Sequence, residues 1–306
     1  MHRLNNETNK ALILRAMRFA AIDIGSNAVR LLIKDIDDSK AANHQQERIA
    51  YYRVPLRLGG EVFERGKLSK AKTKSLVKVM VAFRHLIDVQ EVEAFRAVAT
   101  SALRSAKNRD DVIAAVFRKS DIKIECLSGE EEAGLIFQNF KNVSSKFNRD
   151  LLCIDVGGGS TELSVVRANE RIAWKSFKLG TVRMLKGTTP EGEWERIKAF
   201  VNECRGDKPW LAIGTGGNIN RYHRLARLEK DANLSVSAIE SIMKELSAVP
   251  LAERSALFGL KRNRADVIVP AGEIYLKILQ FAETDFIWVP KVGLADGVIV
   301  SMLRDR

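Results

Sequence analysis

The 306-residue sequence is poor in the residues that build disulfide scaffolds, zinc sites and base-stacking surfaces. Its three cysteines (Cys126, Cys153, Cys204) are odd in number, far apart and set in apolar runs, with no CxxC pair. That excludes a disulfide framework and a Cys-rich zinc site, and it fits a reducing, cytoplasmic compartment. The four histidines (His2, His44, His85, His223) form no HExxH and no paired-ligand spacing. No apolar run reaches the roughly 18 residues of a membrane span. The first residues lack a signal-peptide core and a small-residue cleavage site, and residues 1–16, before Met17, are expected to be a dispensable arm or a start-site artefact. Aromatic residues are 7%, too few to interleave with a nucleic-acid track. Neither GxxxxGK[ST] nor GxGxxG occurs, so the chain has no Walker loop and no dinucleotide fingerprint.

What is present is an ordinary globular composition, 46% hydrophobic and 29% charged. The length predicts two domains. The net charge of +12 calls for an anionic partner: nucleic acid, an anionic membrane or a polyphosphorylated substrate. Strands and helices alternate, which predicts an α/β fold. FAAID, IGSNA and VRLLIKDI read as strand, turn and strand, ERIAYYRVPLRL as a further strand, and Ser69 as a helix opener. Asn108 reads as another helix cap, and Thr189-Pro190 as a helix start with Pro in the first turn. The polar stretch KNVSSKFNRD places a boundary near 138–150, after which the strand–turn–strand pattern returns.

That return is a duplication. AIDIGSNAVRLLI and CIDVGGGSTELSV align without gaps, matching Asp23 to Asp155, Gly25 to Gly157 and Leu31 to Leu163. Each is an apolar strand, an Asp, a glycine turn and a second strand. Glycine turns let backbone N–H groups converge on an anion, and an Asp ending an apolar strand needs a cation or hydrogen-bond donors. Asp155 beside DVGGGSTE reads as a phosphate loop with a metal carboxylate, and Glu162 adds a second acid. The plain alternative is a hairpin whose polar side chains cap the backbone. GTGGNI, residues 214–219, follows a strand and precedes a helix, as a third phosphate loop would.

In SGEEEA, Ser128 and Glu131 have capping-box spacing, so Glu131 has a local task. Glu132 lies about 100° further round the helix and is free either to act as a general base or to remain a solvated first-turn acid. Thr100, Ser101 and Arg104 in ATSALR read as a helix start with a surface Arg, or as an Arg fork on a phosphate. Lys70/Lys74/Lys78, Arg221/Arg224/Arg227 and Lys261/Arg262/Arg264 are basic runs, each a solvated face when taken alone, and together a candidate polyanion track.

The order of AIDIGSNAVRLLI, VATSALRSAKN, IECLSGEEEAGLIF, CIDVGGGSTEL, LGTVRM, GTGGNI, RADVIVPAG and VGLADGVI resembles the exopolyphosphatase/guanosine pentaphosphate phosphohydrolase family (Ppx/GppA), from about residue 19 to residue 304. The resemblance implies two actin-like (ribonuclease H-like) α/β domains with a cleft between them. Domain I would span 17–140, with a C-terminal helix at about 291–306 packing back on it, and domain II would span 141–290. It implies Mg2+ or another hard divalent cation, and a family that is often dimeric. By position it makes Glu132 the general base and Arg104 a catalytic phosphate contact, with Asp155 and Glu162 on the metal. Asp23, Gly25, Ser26 and Asn27 would bind phosphate from the first loop. Gly157, Gly158, Gly159, Ser160 and Thr161 would do so from the second, and Gly214, Gly216 and Gly217 from the third. Three departures stand out: Gly134 where the family often has Arg, Ala28 where it often has Ser or Thr, and Ala295-Asp296 for a common Arg-Glu. There is no His-Asp dipeptide of the long members, so the short two-domain form is expected.

The expected activity is a cytoplasmic, metal-dependent exopolyphosphatase that releases terminal phosphate by water attack. Guanosine pentaphosphate 5′-phosphohydrolysis, a non-catalytic polyphosphate or alarmone sensor and a kinase of the same superfamily are the alternatives. Nucleic acid is the weakest partner and no membrane is expected.

Overall fold

The computed structural model describes residues 17–37, 45–140, 143 and 147–304. Residues 1–16 with His2, His44 and part of the expected 138–150 boundary lie outside these.

Two sheets repeat one plan. In the first, β1 (Met17–Ile24), β2 (Val29–Asp37), β3 (Gln45–Val54), β4 (Ala94–Ala99) and β5 (Ile124–Cys126) lie in the order β3-β2-β1-β4-β5. In the second, β6 (Asp150–Val156), β7 (Thr161–Arg167), β8 (Glu170–Phe177), β9 (Trp210–Thr215), β10 (Leu234–Ser235) and β11 (Phe286–Trp288) lie in the order β10-β11-β9-β6-β7-β8. In each, the first strand is antiparallel to the second and parallel to the fourth. The ribonuclease H-like plan therefore occurs twice in one α/β chain.

The repeat extends to paired charges. Arg18 of β1 meets Asp35 of β2 at 2.6 Å, and in the second copy Asp150 of β6 meets Arg167 of β7 at 2.8 Å, with the signs exchanged. At the other end of the hairpins Asp23 faces Arg30, whereas Asp155 faces Glu162. One copy has an ion pair where the other has two acids.

The helices complete the layers. α1 (Leu58–Arg65), α2 (Lys70–Val89), α3 (Ser101–Ser105) and α4 (Arg109–Ser120) cover the outer face of the first sheet. α5 (Gly129–Phe137) follows β5. α6 (Thr181–Leu185), α7 (Glu193–Glu203), α8 (Ile219–Leu225), α9 (Val236–Ala248), α10 (Leu251–Leu257), α11 (Arg262–Ala265) and α12 (Ile268–Phe281) belong to the second half, and α13 (Leu294–Arg304) ends the described chain. Strand residues alternate between cores. Ala20, Ile22 and Ile24 face the outer helices, while Phe19 and Ala21 join Leu151, Cys153 and Ile213 of the second sheet around α5 and α13. Burial on both faces explains the unbroken apolar runs of β1 and β6. α13 packs on β1, β2 and α5. Asp296 accepts from Gly293 N–H at 2.9 Å and pairs with the Lys34 ammonium at 2.6 Å, so Ala295-Asp296 joins this helix to the first sheet.

Three local readings need correction. The stretch after Val54 turns into α1 despite Gly59 and Gly60, because an ideal Cβ on Gly59 would lie 2.9 Å from the Ser26 Cβ and only a bare Cα brings the helix against the first hairpin. Asn108 precedes α4 but does not cap it; its side chain brackets Leu68, with Nδ2 donating to Leu68 O and Oδ1 accepting from Leu68 N at 3.0 Å. Pro190 stands before α7, which starts only after Gly192 at φ 76°. No described helix is long and apolar enough to cross a membrane.

Candidate active site

Strand alternation sends Asp23 and Asp155 to the inner faces of their sheets. The two glycine hairpins meet there. An ideal Cβ on Gly158 would stand 2.9 Å from the Ser26 Cβ, and one on Gly159 would overlap Phe63 of α1 and the Ser101 Oγ. Only glycine permits this approach. The loop carbonyls are tied away from the other lobe, with Gly157 O accepting from Thr181 N at 3.1 Å and Gly158 O from Val182 N at 2.7 Å. Among the described residues the N–H groups of Gly158 and Gly159 have no protein acceptor. Arg183 fixes the far side, donating to Gly159 O at 2.7 Å while its guanidinium lies 4.1 Å from the Phe63 ring centre.

α5 starts with the full capping box. Ser128 N–H donates to Glu131 at 2.7 Å, and Glu131 N–H donates to Ser128 Oγ at 3.2 Å. Glu131 is thus occupied and exposed, while Glu132, one residue on, is 6% exposed and turned inward. Glu132, Asp155 and Glu162 each bring a carboxylate oxygen within 4.8 Å of the others.

Each acid has a positioning donor, and Glu162 also takes a hydrogen bond from the Ser160 hydroxyl. Arg104 Nη1 donates to Glu132 at 3.1 Å and to Leu127 O at 2.7 Å. Thr215 donates its hydroxyl to Asp155. Ser176 donates to Glu162 Oε1 at 2.8 Å. Glu162 Oε2 is buried with no partner. Burial, and then the neighbouring Asp155, push the Glu162 carboxyl up to about 7. Burial, and then Glu162, hold Glu132 well above the usual carboxylate range, with Arg104 pulling the other way. Burial also raises Asp155, opposed by the Thr215 hydrogen bond. Crowded acids with a buried, orphaned oxygen match a hard cation, which takes oxygen ligands.

The first hairpin is electrostatically different. Arg30 meets Asp23 at 2.5 Å, so Asp23 is neutralised in place. Burial opposes the Arg30 charge, but Asp23 and, further off, Asp155 outweigh it and hold the guanidinium above its ordinary value. Ser26 Oγ lies 2.9 Å from Ser101 Oγ, and Asn27 Nδ2 donates to Asn263 O at 3.3 Å. Thr161 donates its hydroxyl to Leu179 O at 2.7 Å, which occupies it locally. Gly25 and Gly157 each close their hairpin by donating N–H, to Ala28 O and Ser160 O.

In the third loop, Gly214 lies inside β9, where an ideal Cβ would meet Ile287 at 2.7 Å; its role is packing. Gly216, at φ 97°, does border the acids, 3.4 Å from Asp155 when its Cβ is built. Gly217 O accepts from Arg264. A Cβ on Gly134 would lie 3.6 Å from Arg171 of β8, so a guanidinium reaches this place from another strand.

Sequence alone gives no role to Arg30, Ser176 and Thr215, and marks Arg264 only as part of a basic run. Arg30 had a signal, since it stands opposite Glu162 in the repeat, and Thr215 lies within GTGG.

Residues 36–306 match the model of the Ppx/GppA phosphatase family. The chain belongs to that family. It is 34% identical over 315 residues to a bifunctional 3-dehydroquinate synthase/phosphatase of Fusobacterium nucleatum, with 94% of this chain aligned. The chain spans about half of that protein, 47% of its length. It is 25% identical to exopolyphosphatase 1 of Mycobacterium leprae, covering 94% of this chain and 90% of that one. The crystal structure of the Aquifex aeolicus member of the Ppx/GppA family superposes with a TM-score of 0.75 at 28% identity, covering 94% of this chain and 98% of that one. The actin-like fold of this family accounts for the two repeated sheets and the cleft between them.

Proposed function

We propose that the chain is a phosphoanhydride hydrolase that releases terminal phosphate from inorganic polyphosphate in the cytoplasm, with 17–140 and 141–290 as its two lobes. The observation that carries this reading is the trio of buried acids, Glu132, Asp155 and Glu162, where the two glycine hairpins meet. Exopolyphosphatase 1, similar along nine-tenths of its length, supports the substrate class.

Asp155 and Glu162 are the residues that would hold Mg2+, Glu162 through its free Oε2. The ion would offset charge on the phosphoryl oxygens. The N–H groups of Gly158 and Gly159 donate to the terminal phosphate, and the Arg30–Asp23 pair leaves the first hairpin without the net negative charge that two acids would carry there. Arg104 holds Glu132 through Nη1, which leaves its other N–H groups to donate to phosphate. Glu132 accepts a proton from the attacking water. Its raised proton affinity makes it a stronger base once the positive groups hold it ionised.

The test measures phosphate release from long-chain polyphosphate with Mg2+ and with chelator, then in competition with guanosine pentaphosphate. Mg2+-dependent release that the guanosine nucleotide inhibits only weakly supports the reading. Preferential turnover of the nucleotide moves it to the alternative substrate, and tight binding without turnover turns it into a sensor.

A further inference from the structure

The outer surface of α2 carries a charge pattern that the hydrolysis site leaves unused. Leu76, Met80, Phe83 and Ile87 bury the inner side of the helix. Lys70, Lys74 and Lys78, spaced i, i+4, i+8, lie exposed on the opposite side. The helix holds five cations, Lys70, Lys72, Lys74, Lys78 and Arg84, and one acid, Asp88, in its last turn. Lysines in a first turn oppose the helix dipole, which favours acids there. Among the described residues, Lys70, Lys74 and Lys78 have no ion-pair partner, and Ser69 alone caps the turn. A pattern that works against its own helix has its explanation outside the fold.

The stripe is continuous with the site. Phe63 of α1 abuts Gly159, and two residues later exposed Arg65 ends the helix. Glu61 accepts from Ser69 N at 2.8 Å and Ser69 Oγ at 3.1 Å, binding α1 to the start of α2. Lys67 is exposed, and Lys107 lies over Gly66 with its Cε 3.4 Å from an ideal Cβ there. α1 thus links the glycine loop to the stripe: its exposed Glu64 is taken up by Lys186 at 2.9 Å, and the cations run from Arg65 through Lys67 and Lys107 and along about 12 Å of α2. Lys70, Lys74 and Lys78 have no aromatic side chain between them, so the surface offers charge without base stacking.

We propose that the Lys70/Lys74/Lys78 face of α2 is a subsite for the tail of a long inorganic polyphosphate whose end lies at the acid trio. The inference rests on the polyphosphate reading above and adds to it a preference for long chains.

The test compares wild type with a K70E/K74E/K78E variant. A glutamate at 70 agrees with the dipole of the first turn, and 74 and 78 are exposed positions without ion-pair partners among the described residues, so the variant should melt no lower than wild type. At about 0.25 M salt, KM for long-chain polyphosphate should rise on the order of 20-fold while KM for tripolyphosphate stays constant, because three single-strand-like contacts at a slope of about −0.7 each contribute roughly 0.25 to the power −2.1 to binding. Binding of labelled long-chain polyphosphate, measured in an E132Q background, should lose roughly 2 from its log–log salt slope. An unchanged long-chain affinity overturns the subsite. So does an equal rise in KM for tripolyphosphate, or loss of a single-stranded RNA ligand with polyphosphate unaffected. If wild type hydrolyses neither phosphate substrate, the hydrolase reading fails, while the binding titration still decides the subsite on its own.

Discussion

Replacing Glu162 with Gln should make the metal-free protein more stable and the enzyme worse. Glu162 is 3% exposed, is hydrogen-bonded by Ser160 and Ser176, and keeps Oε2 without a partner. Its carboxyl is raised from 4.5 to about 7 by burial first and Asp155 second. A carboxyl raised on folding binds more protons in the native state than in the unfolded one, so stability is lost as pH rises from about 4.5 to about 7. At about 1.4 kcal/mol per pH unit, the ionised group costs roughly 3 kcal/mol at pH 8 without metal. Gln removes that charge, keeps an acceptor for Ser176 and can donate to Asp155. For a chain of this size the relief corresponds to a rise in Tm on the order of 5 °C. Mg2+ should stabilise wild type by about 2.7 kcal/mol at 100 times its Kd, and the variant far less. The assay is thermal unfolding at pH 5 and pH 8, with chelator and across a Mg2+ titration. A variant that melts below wild type at pH 8 in chelator, or that gains as much from Mg2+, refutes the reasoning.

The other substitutions probe the remaining parts. Glu132→Gln should lower kcat about 10²–10⁴-fold with little change in KM, measured as steady-state phosphate release; a kcat within twofold of wild type removes the base. Thr215→Val strips Asp155 of the donor that opposes its upward shift. The acid limb of the rate profile should then move to higher pH and Mg2+ affinity fall about 10–100-fold, as read by pH–rate curves and calorimetry. Gly159→Ala places a Cβ into Phe63 and Ser101, so it should cost about 1–3 kcal/mol in denaturant unfolding and separate the hairpins.

The duplication and the α5 cap were legible because both are local. Gapless alignment sets Asp23 against Asp155, and S-x-x-E spacing occupies Glu131 and frees Glu132. What sequence could not supply was tertiary. α1 contains Gly59 and Gly60, which argue against a helix, and it forms because a bare Cα is needed beside Ser26. Pro190 resembled a helix start, yet Gly192 turns the chain before α7 begins. Ser176 and Thr215 reach the acids from strands that only the sheet order places beside them. Arg30 stood in the aligned repeat, but its weight depends on the cross-strand register that sets it on Asp23 and sets Glu162 on Asp155.

The central claim is that Glu132 delivers water to the terminal phosphate bound between the two hairpins. Hydrolysis of long-chain polyphosphate in 18O-water with saturating Mg2+ tests it directly, with the released phosphate analysed by mass. One 18O in each released phosphate, formed by wild type and suppressed in Glu132→Gln, is the predicted result. Label arriving at the same rate in both proteins, or phosphate released without label, contradicts it.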